Sequence, residues 1–297
     1  MKSRIPPPPQ SFEERISRVR LWTVLPAVFV PMIVWNVINR HVEISAGVAR
    51  WAAELLLWSS ALGWWLLKAA PRPLSLRAAL GRSLDLAGWG LVAWAMLANT
   101  SVRIVWWMAR YCRDILQVAS TSGSYTFRLP RTKVDALFAV SAAVLAPLVE
   151  ELIFRGTLFR SCRVRFGPVK AALLSSALFA LGHIDRDSMA IFVSALTYVL
   201  AYTRTRSLWA PIVLHAINNG GWGVLSKYSL GATPEFRLNG SWQFGLFGLV
   251  LLLGVAAWIV FVRKSWRTLG DALPPDSLQP APAASHSSLP EPQRAVS

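Results

Sequence analysis

Charge is what this 297-residue chain has least of. Asp, Glu, Lys and Arg make up 15% of it, against about 25% in soluble globular domains. That deficit argues against one large soluble helical protein. Acid is scarcest: 15 Asp and Glu stand against 31 Lys and Arg, a net charge of +16. In a soluble domain such an excess would indicate nucleic acid. Here the cations lie in short loops between apolar runs, where they act as topology signals and contacts to anionic lipid. Anionic lipid is therefore an expected partner and nucleic acid is not. Two cysteines, Cys112 and Cys162, give neither a disulfide framework nor metal-ligand spacing. No cleavable signal is read: the start MKSRIPPPPQSFEERISRVR is polar, Pro-rich and basic, and the first apolar run begins at Leu21.

What is abundant is apolar sequence, 54% of the chain. It falls into eight runs, near 21–38, 51–69, 84–108, 134–158, 169–184, 189–203, 207–225 and 244–262. At 1.5 Å per residue, about 20 residues cross a bilayer core. The expectation is an all-α, polytopic transmembrane bundle of about eight segments. Runs five and six are short and predict tilted, re-entrant or buried helices. With the N-terminus inside, the inner stretches carry twice the Lys and Arg of the outer ones, which puts both termini in the cytoplasm. The loop from Arg110 to Lys133 runs against that rule. Trp22, Trp51, Trp209 and Trp266 stand near run ends, as an interfacial belt would have them. The tail from Leu273 onward is rich in Pro, Ala and Ser and is expected to be disordered.

Ionisable groups inside apolar runs cost roughly 2.5–3.5 kcal/mol each and need partners or a task. Glu150, Glu151 and Arg155 sit in VEELIFRG, His183 in LFALGHID, and His215 and Asn219 in APIVLHAINNG. Thirteen residues separate Glu150 from Arg163, and thirteen separate Lys170 from His183, across the turn RVRFGPVK. Both groups then lie about 20 Å along their helices, and His215 about 14 Å along its own, so the three can converge. Glu151 and Arg155 have the spacing and order of a helical ion pair. Glu150 is turned about 100° away, so the two carboxylates should meet different neighbours. A carboxylate in a low-dielectric site has raised proton affinity and suits general acid–base work. Against this stand structural roles: a paired charge for Glu151 and Arg155, and interhelical hydrogen bonding for His183, His215 and Asn219. Phe179 shares a face with His183. Asn218, three residues from His215, competes with Asn219. Asp85 and Glu54 lie near run ends, where hydration is cheap. Arg103 has no evident partner. The chain has no H-E-x-x-H, no Ser at a Gly-rich helix start and no pair of membrane aspartates, so zincin, serine and aspartyl intramembrane proteolysis lack their residues.

EELIFRG, FALGH and YTRTRSLWAPIVLHAINN together resemble the CPBP family of intramembrane proteases, which includes type II CAAX prenyl endopeptidases and bacteriocin-processing or immunity proteins. The family pattern, E-E-x-x-x-R, F-x-x-x-H and H-x-x-x-N, is filled by Glu150, Glu151, Arg155, Phe179, His183, His215 and Asn219. The resemblance covers about residues 130–225. Around this core it leaves a basic cytoplasmic N-terminus (1–20), N-terminal transmembrane helices and a loop (21–129), a last helix (244–262) and a tail (270–297). It implies that Glu150 and His183 activate a water, that His215 and Asn219 stabilise the tetrahedral oxyanion, and that Glu151, Arg155 and Phe179 support the site. One Glu and two His could hold zinc, but the resemblance implies a glutamate-dependent reaction with no required cofactor. The implied substrate is a membrane-anchored protein or peptide. High Ala, Arg and Trp usage indicates a GC-rich bacterial source and an inner-membrane location. A sorting or peptide-maturation role then stands level with CAAX removal. The other readings are a non-catalytic immunity or scaffold protein of the same fold and, further off, a proton-relay transporter. Arg206 stands where the family commonly has glycine, a change expected to matter little.

Overall fold

The computed structural model describes residues 48–71, 74–110, 124–128, 140–183, 188–221, 235–239 and 241–271, together with scattered positions between 16 and 37. Run one, most of the loop from Arg110 to Lys133, Cys112, the loop residues Asp185 to Asp187 and the tail from Leu273 lie largely or wholly outside the described residues.

Seven of the eight apolar runs correspond to helices. They are α1 (Val48–Lys68), α3 (Leu86–Arg110), the helical stretch that includes α4 (Ala146–Ile153) and α5 (Arg160–Phe166), α6 (Pro168–Leu181), α7 (Ser188–Thr205), α8 (Trp209–Asn218) and α9 (Ser241–Trp266). A short α2 (Leu76–Leu80) precedes α3. Asp85 does more than face water: its Oδ1 accepts from the Gly88 amide at 2.7 Å and caps the start of α3. Pro168 opens α6 directly after Gly167, whose φ of 80° ends α5.

Two departures from a plain helical bundle stand out. β1 (Ser124–Arg128) pairs antiparallel with β2 (Glu235–Asn239), from Ser124 opposite Asn239 to Arg128 opposite Glu235. Run four also widens into π-helical turns at Ser141–Leu145 and Phe154–Phe159, on either side of α4. π turns within α-helices are frequent at functional sites.

Large apolar side chains lie on the outside as well as in the core. Leu246, Leu249, Val250, Leu252 and Leu253 of α9 and Leu86, Trp89 and Leu97 of α3 are exposed, whereas the largest fully buried side chain is Arg155. By length and composition, one helical span among the described residues, Trp242–Gly270, is long and apolar enough to cross a membrane. Pro168–Leu181 is apolar but shorter.

Small residues set the closest helix contact. A Cβ on Gly254 of α9 would overlap the Ser101 side chain of α3, the close approach that apolar surroundings reward. Trp258 Nε1 donates to Thr197 Oγ1 at 3.1 Å, tying α9 to α7. The N-terminal stretch also has a structural share. Ile16 and Val19 are buried, and the Val19 carbonyl accepts from Ser161 Oγ at 3.2 Å and Arg165 Nη2 at 3.0 Å.

The joint between α7 and α8 overturns one expectation. Arg206 has φ 55°, in the left-handed region, and its amide donates to Tyr202 O at 2.7 Å to close α7. Glycine takes this conformation freely, whereas another L-residue is strained in it. The family's glycine therefore has a backbone reason, and Arg206 stands in its place under strain. Gly81 packs against the same joint: a Cβ there would meet Arg206 O at 2.9 Å.

Candidate active site

Four sequence-predicted residues form one buried chain of contacts. Glu151 and Arg155 project from the α4 stretch one turn apart, and Arg155 Nη1 donates to Glu151 Oε1 at 2.9 Å with both side chains fully buried. The same Oε1 lies 2.9 Å from His215 Nδ1 on α8. His215 Nε2 lies 3.6 Å from Glu150 Oε2.

The two carboxylates thus share a neighbour, contrary to the expectation from their rotation about the helix. An imidazole carries nitrogens on two sides of its ring, so one ring can meet two groups that diverge from adjacent positions. The tautomer follows from the chemistry. Glu151, held by Arg155, accepts the Nδ1 proton. Glu151 and Arg155 cancel each other's charge, as burial favours.

Arg155 is held at both terminal nitrogens and against two aromatic rings. Its Nη2 donates to the Ala195 carbonyl of α7 at 3.0 Å, and its guanidinium lies 4.7 Å from the Phe179 ring centroid and 5.4 Å from that of Tyr198. Phe179 also touches both imidazoles, with centroid separations of 4.9 Å to His183 and 5.5 Å to His215. His183 is half-buried at the end of α6, and its Nδ1 meets Phe179 O at 2.8 Å, so Nδ1 carries the proton. Phe179 is thereby the shared packing surface of the site.

Asn219 stands apart from the charged chain. Its Nδ2 donates to Ala142 O at 2.9 Å, joining the end of α8 to the π turn before α4. The neighbouring Asn218 is buried and receives Arg103 Nη1 on its Oδ1 at 2.6 Å. Arg103, for which the sequence offered no partner, therefore has one across 115 positions of chain. Tyr198, which stacks on His215 at 5.2 Å, was also missed. Its only advance signal is a phenol inside an apolar run. Among the described residues no group of three or more His, Cys, Asp or Glu is placed to hold a metal ion.

The arrangement is that of a neutralised pair, Glu151 and Arg155, holding an imidazole against a second carboxylate. It can pass one proton between Glu150 and a substrate or water, while the Glu151–Arg155 pair adds no net charge of its own.

Residues 132–221 match the family model described as Type II CAAX prenyl endopeptidase Rce1-like. This bears out the resemblance read from the motifs, and the match contains every residue that carries it. The chain is also similar to "Putative membrane peptidase YdiL" of Bacillus subtilis (strain 168), 29% identical over 84 residues, or 28% of this chain and 34% of that protein. It is 32% identical over 93 residues to "Membrane-embedded CAAX protease MroQ" of Staphylococcus aureus (strain USA300), or 28% of this chain and 37% of that one. The chain thus spans about a third of the length of the relatives it matches. Arg103, α3 and α9 lie outside the Rce1-like region.

Proposed function

We propose that this chain is a membrane-embedded endopeptidase that hydrolyses a peptide bond of a membrane-associated protein or peptide, using water activated by Glu150. One observation carries the reading: both carboxylates of the E-E pair meet the two nitrogens of a single buried imidazole, inside the Rce1-like region.

The residues divide the work as follows. A Glu150 carboxylate oxygen takes a proton from water as the water oxygen bonds to the scissile carbonyl carbon, and His183 Nε2 helps orient that water. Negative charge collects on the carbonyl oxygen. His215 Nε2–H and the second Nδ2 hydrogen of Asn219 are the donors assigned to it. Collapse of the tetrahedral species breaks the C–N bond, and the proton on Glu150 passes to the leaving amine. Glu151 and Arg155 fix the His215 tautomer and cancel each other's charge. No metal is assigned a step.

The apolar exterior supports a membrane location, and the names of the two relatives support a membrane-associated peptide substrate. CAAX-type removal and the maturation of a sorting signal or peptide are the two substrate classes within this reading.

The test compares peptide termini, by quantitative mass spectrometry, in native-host membranes carrying wild type or Glu150→Gln at matched levels. Loss of the general base should slow cleavage by about 10²–10⁴-fold, so termini present with wild type should vanish with the variant. Identical profiles would overturn the reading in favour of a non-catalytic immunity or scaffold protein of the same fold.

A further inference from the structure

The sequence leaves Asn218 and Asn219 competing for one role, and the structure gives them different partners whose chemistry fixes both carboxamides. Arginine only donates, so the Asn218 atom 2.6 Å from Arg103 Nη1 is the oxygen, and its NH2 faces the other way. A backbone carbonyl only accepts, so the Asn219 atom at Ala142 O is the nitrogen. One of the two Asn219 N–H groups is thereby taken up by the fold. Among the described residues the Asn218 side-chain hydrogen bond runs through Oδ1, so the Nδ2 hydrogens remain for another acceptor. Asn218 lies three residues after His215 on α8, on the same helical face.

Arg103 makes this amide unusual. A cation bonded to the carboxamide oxygen draws electron density from the nitrogen and strengthens its N–H groups as donors, the polarisation expected along a charged hydrogen-bond chain. The Arg103 charge also acts on the phenol of Tyr198, the ring that stacks on His215. An arginine inside an apolar helix carries an insertion cost that a mere interhelical tie between neutral groups would not require.

We infer that Asn218, polarised by Arg103 from α3, supplies an oxyanion donor to the reaction, with Arg103 as its positioning residue. This rests on the endopeptidase reading. It makes a helix outside the Rce1-like region part of the catalytic apparatus.

The discriminating variant is Asn218→Asp. It keeps an acceptor for Arg103, now as an ion pair, but removes the N–H donors. A purely structural tie is preserved or strengthened by it, whereas an oxyanion donor is lost. The full-length chain is expressed in its own membranes, and the formation rate of every terminus that depends on Glu150 is measured per folded molecule. Thermal unfolding in detergent is recorded in parallel. Asn218→Asp should lower the rate by about 10²-fold or more with an unfolding midpoint at or above wild type. Arg103→Gln should lower it on the order of tenfold, the difference between a charged and a neutral hydrogen-bond partner, and Arg103→Lys should recover part of that loss. If Asn218→Asp accumulates poorly, Asn218→Ser decides the matter, because its hydroxyl both accepts from Arg103 and donates once. It should retain more rate than Asn218→Asp. Wild-type rates in Asn218→Asp, or equal rates for Asp and Ser, overturn the inference and leave the endopeptidase reading standing. If no terminus depends on Glu150, both fall.

Discussion

Arg155 and Glu151 show why two charges can be buried to completion. The guanidinium has a carboxylate at 2.9 Å, a backbone carbonyl at 3.0 Å and an aromatic face at 4.7 Å. Together these replace most of the water it gave up, although its buried Nε has no hydrogen-bond partner among the described residues. Removing one partner leaves the other charge uncompensated, at a cost of about 3–5 kcal/mol. Glu151→Gln should therefore lower the unfolding midpoint in detergent by many degrees and weaken cleavage through release of His215. An unchanged midpoint would show that the pair does not hold the fold. Cys162 tests burial independently. Burial pushes its thiol up from 9.0 to about 11, with Arg165 pulling the other way. The folded state thus keeps a proton that the unfolded state releases. Its contribution to stability is intact below about pH 9 and is lost as the pH rises towards 11. In a Cys112→Ser background, maleimide labelling at pH 8 should run about 10²-fold slower for folded than for unfolded protein, as thiolate availability dictates. Equal rates would contradict the burial.

At the scale of elements, the joint between α7 and α8 carries a measurable defect. Arg206 holds φ 55° where the family pattern has glycine, and an L-residue in this region costs roughly 1–2 kcal/mol. Arg206→Gly should raise the unfolding midpoint by a few degrees, net of the entropy that glycine adds to the unfolded chain. A lower midpoint would mean that the Arg206 side chain makes contacts worth more than the strain. The same scale shows what periodicity conceals. Run four reads as one plain helix, yet it opens into π turns on both sides of α4. Apolar spacing cannot signal this, because i→i+5 bonding is selected by what packs around the helix. The β1–β2 pair escaped notice for a similar reason. Both strands lie in polar stretches between the apolar runs, and their pairing partners are far apart in the chain.

For the whole molecule, apolar side chains fill the core and also cover much of the outside, and the charged cluster lies within. The asymmetry of Lys and Arg between alternate loops predicts a bundle with both termini in the cytoplasm. Fusing a reporter that fluoresces only in the cytoplasm to either end should give signal at both ends. A dark N-terminal fusion beside a bright C-terminal one would put an odd number of spans in the chain.

Sequence by itself determined the apolar runs, because exclusion from water needs only composition and length. It also singled out Glu150, Glu151, Arg155, His183, His215 and Asn219 as candidates, since polar groups in apolar helices stand out by their cost, and the family resemblance added the role of Phe179. Even the Glu151–Arg155 pair was legible, because four-residue spacing is a property of one helix. Tertiary structure alone decided that one imidazole bridges both carboxylates, that Arg103 from α3 holds Asn218 rather than Asn219, and that Arg206 is strained. Each of these depends on where a second helix approaches and at what angle. That approach is set by packing among side chains distant in the chain, which no local pattern encodes.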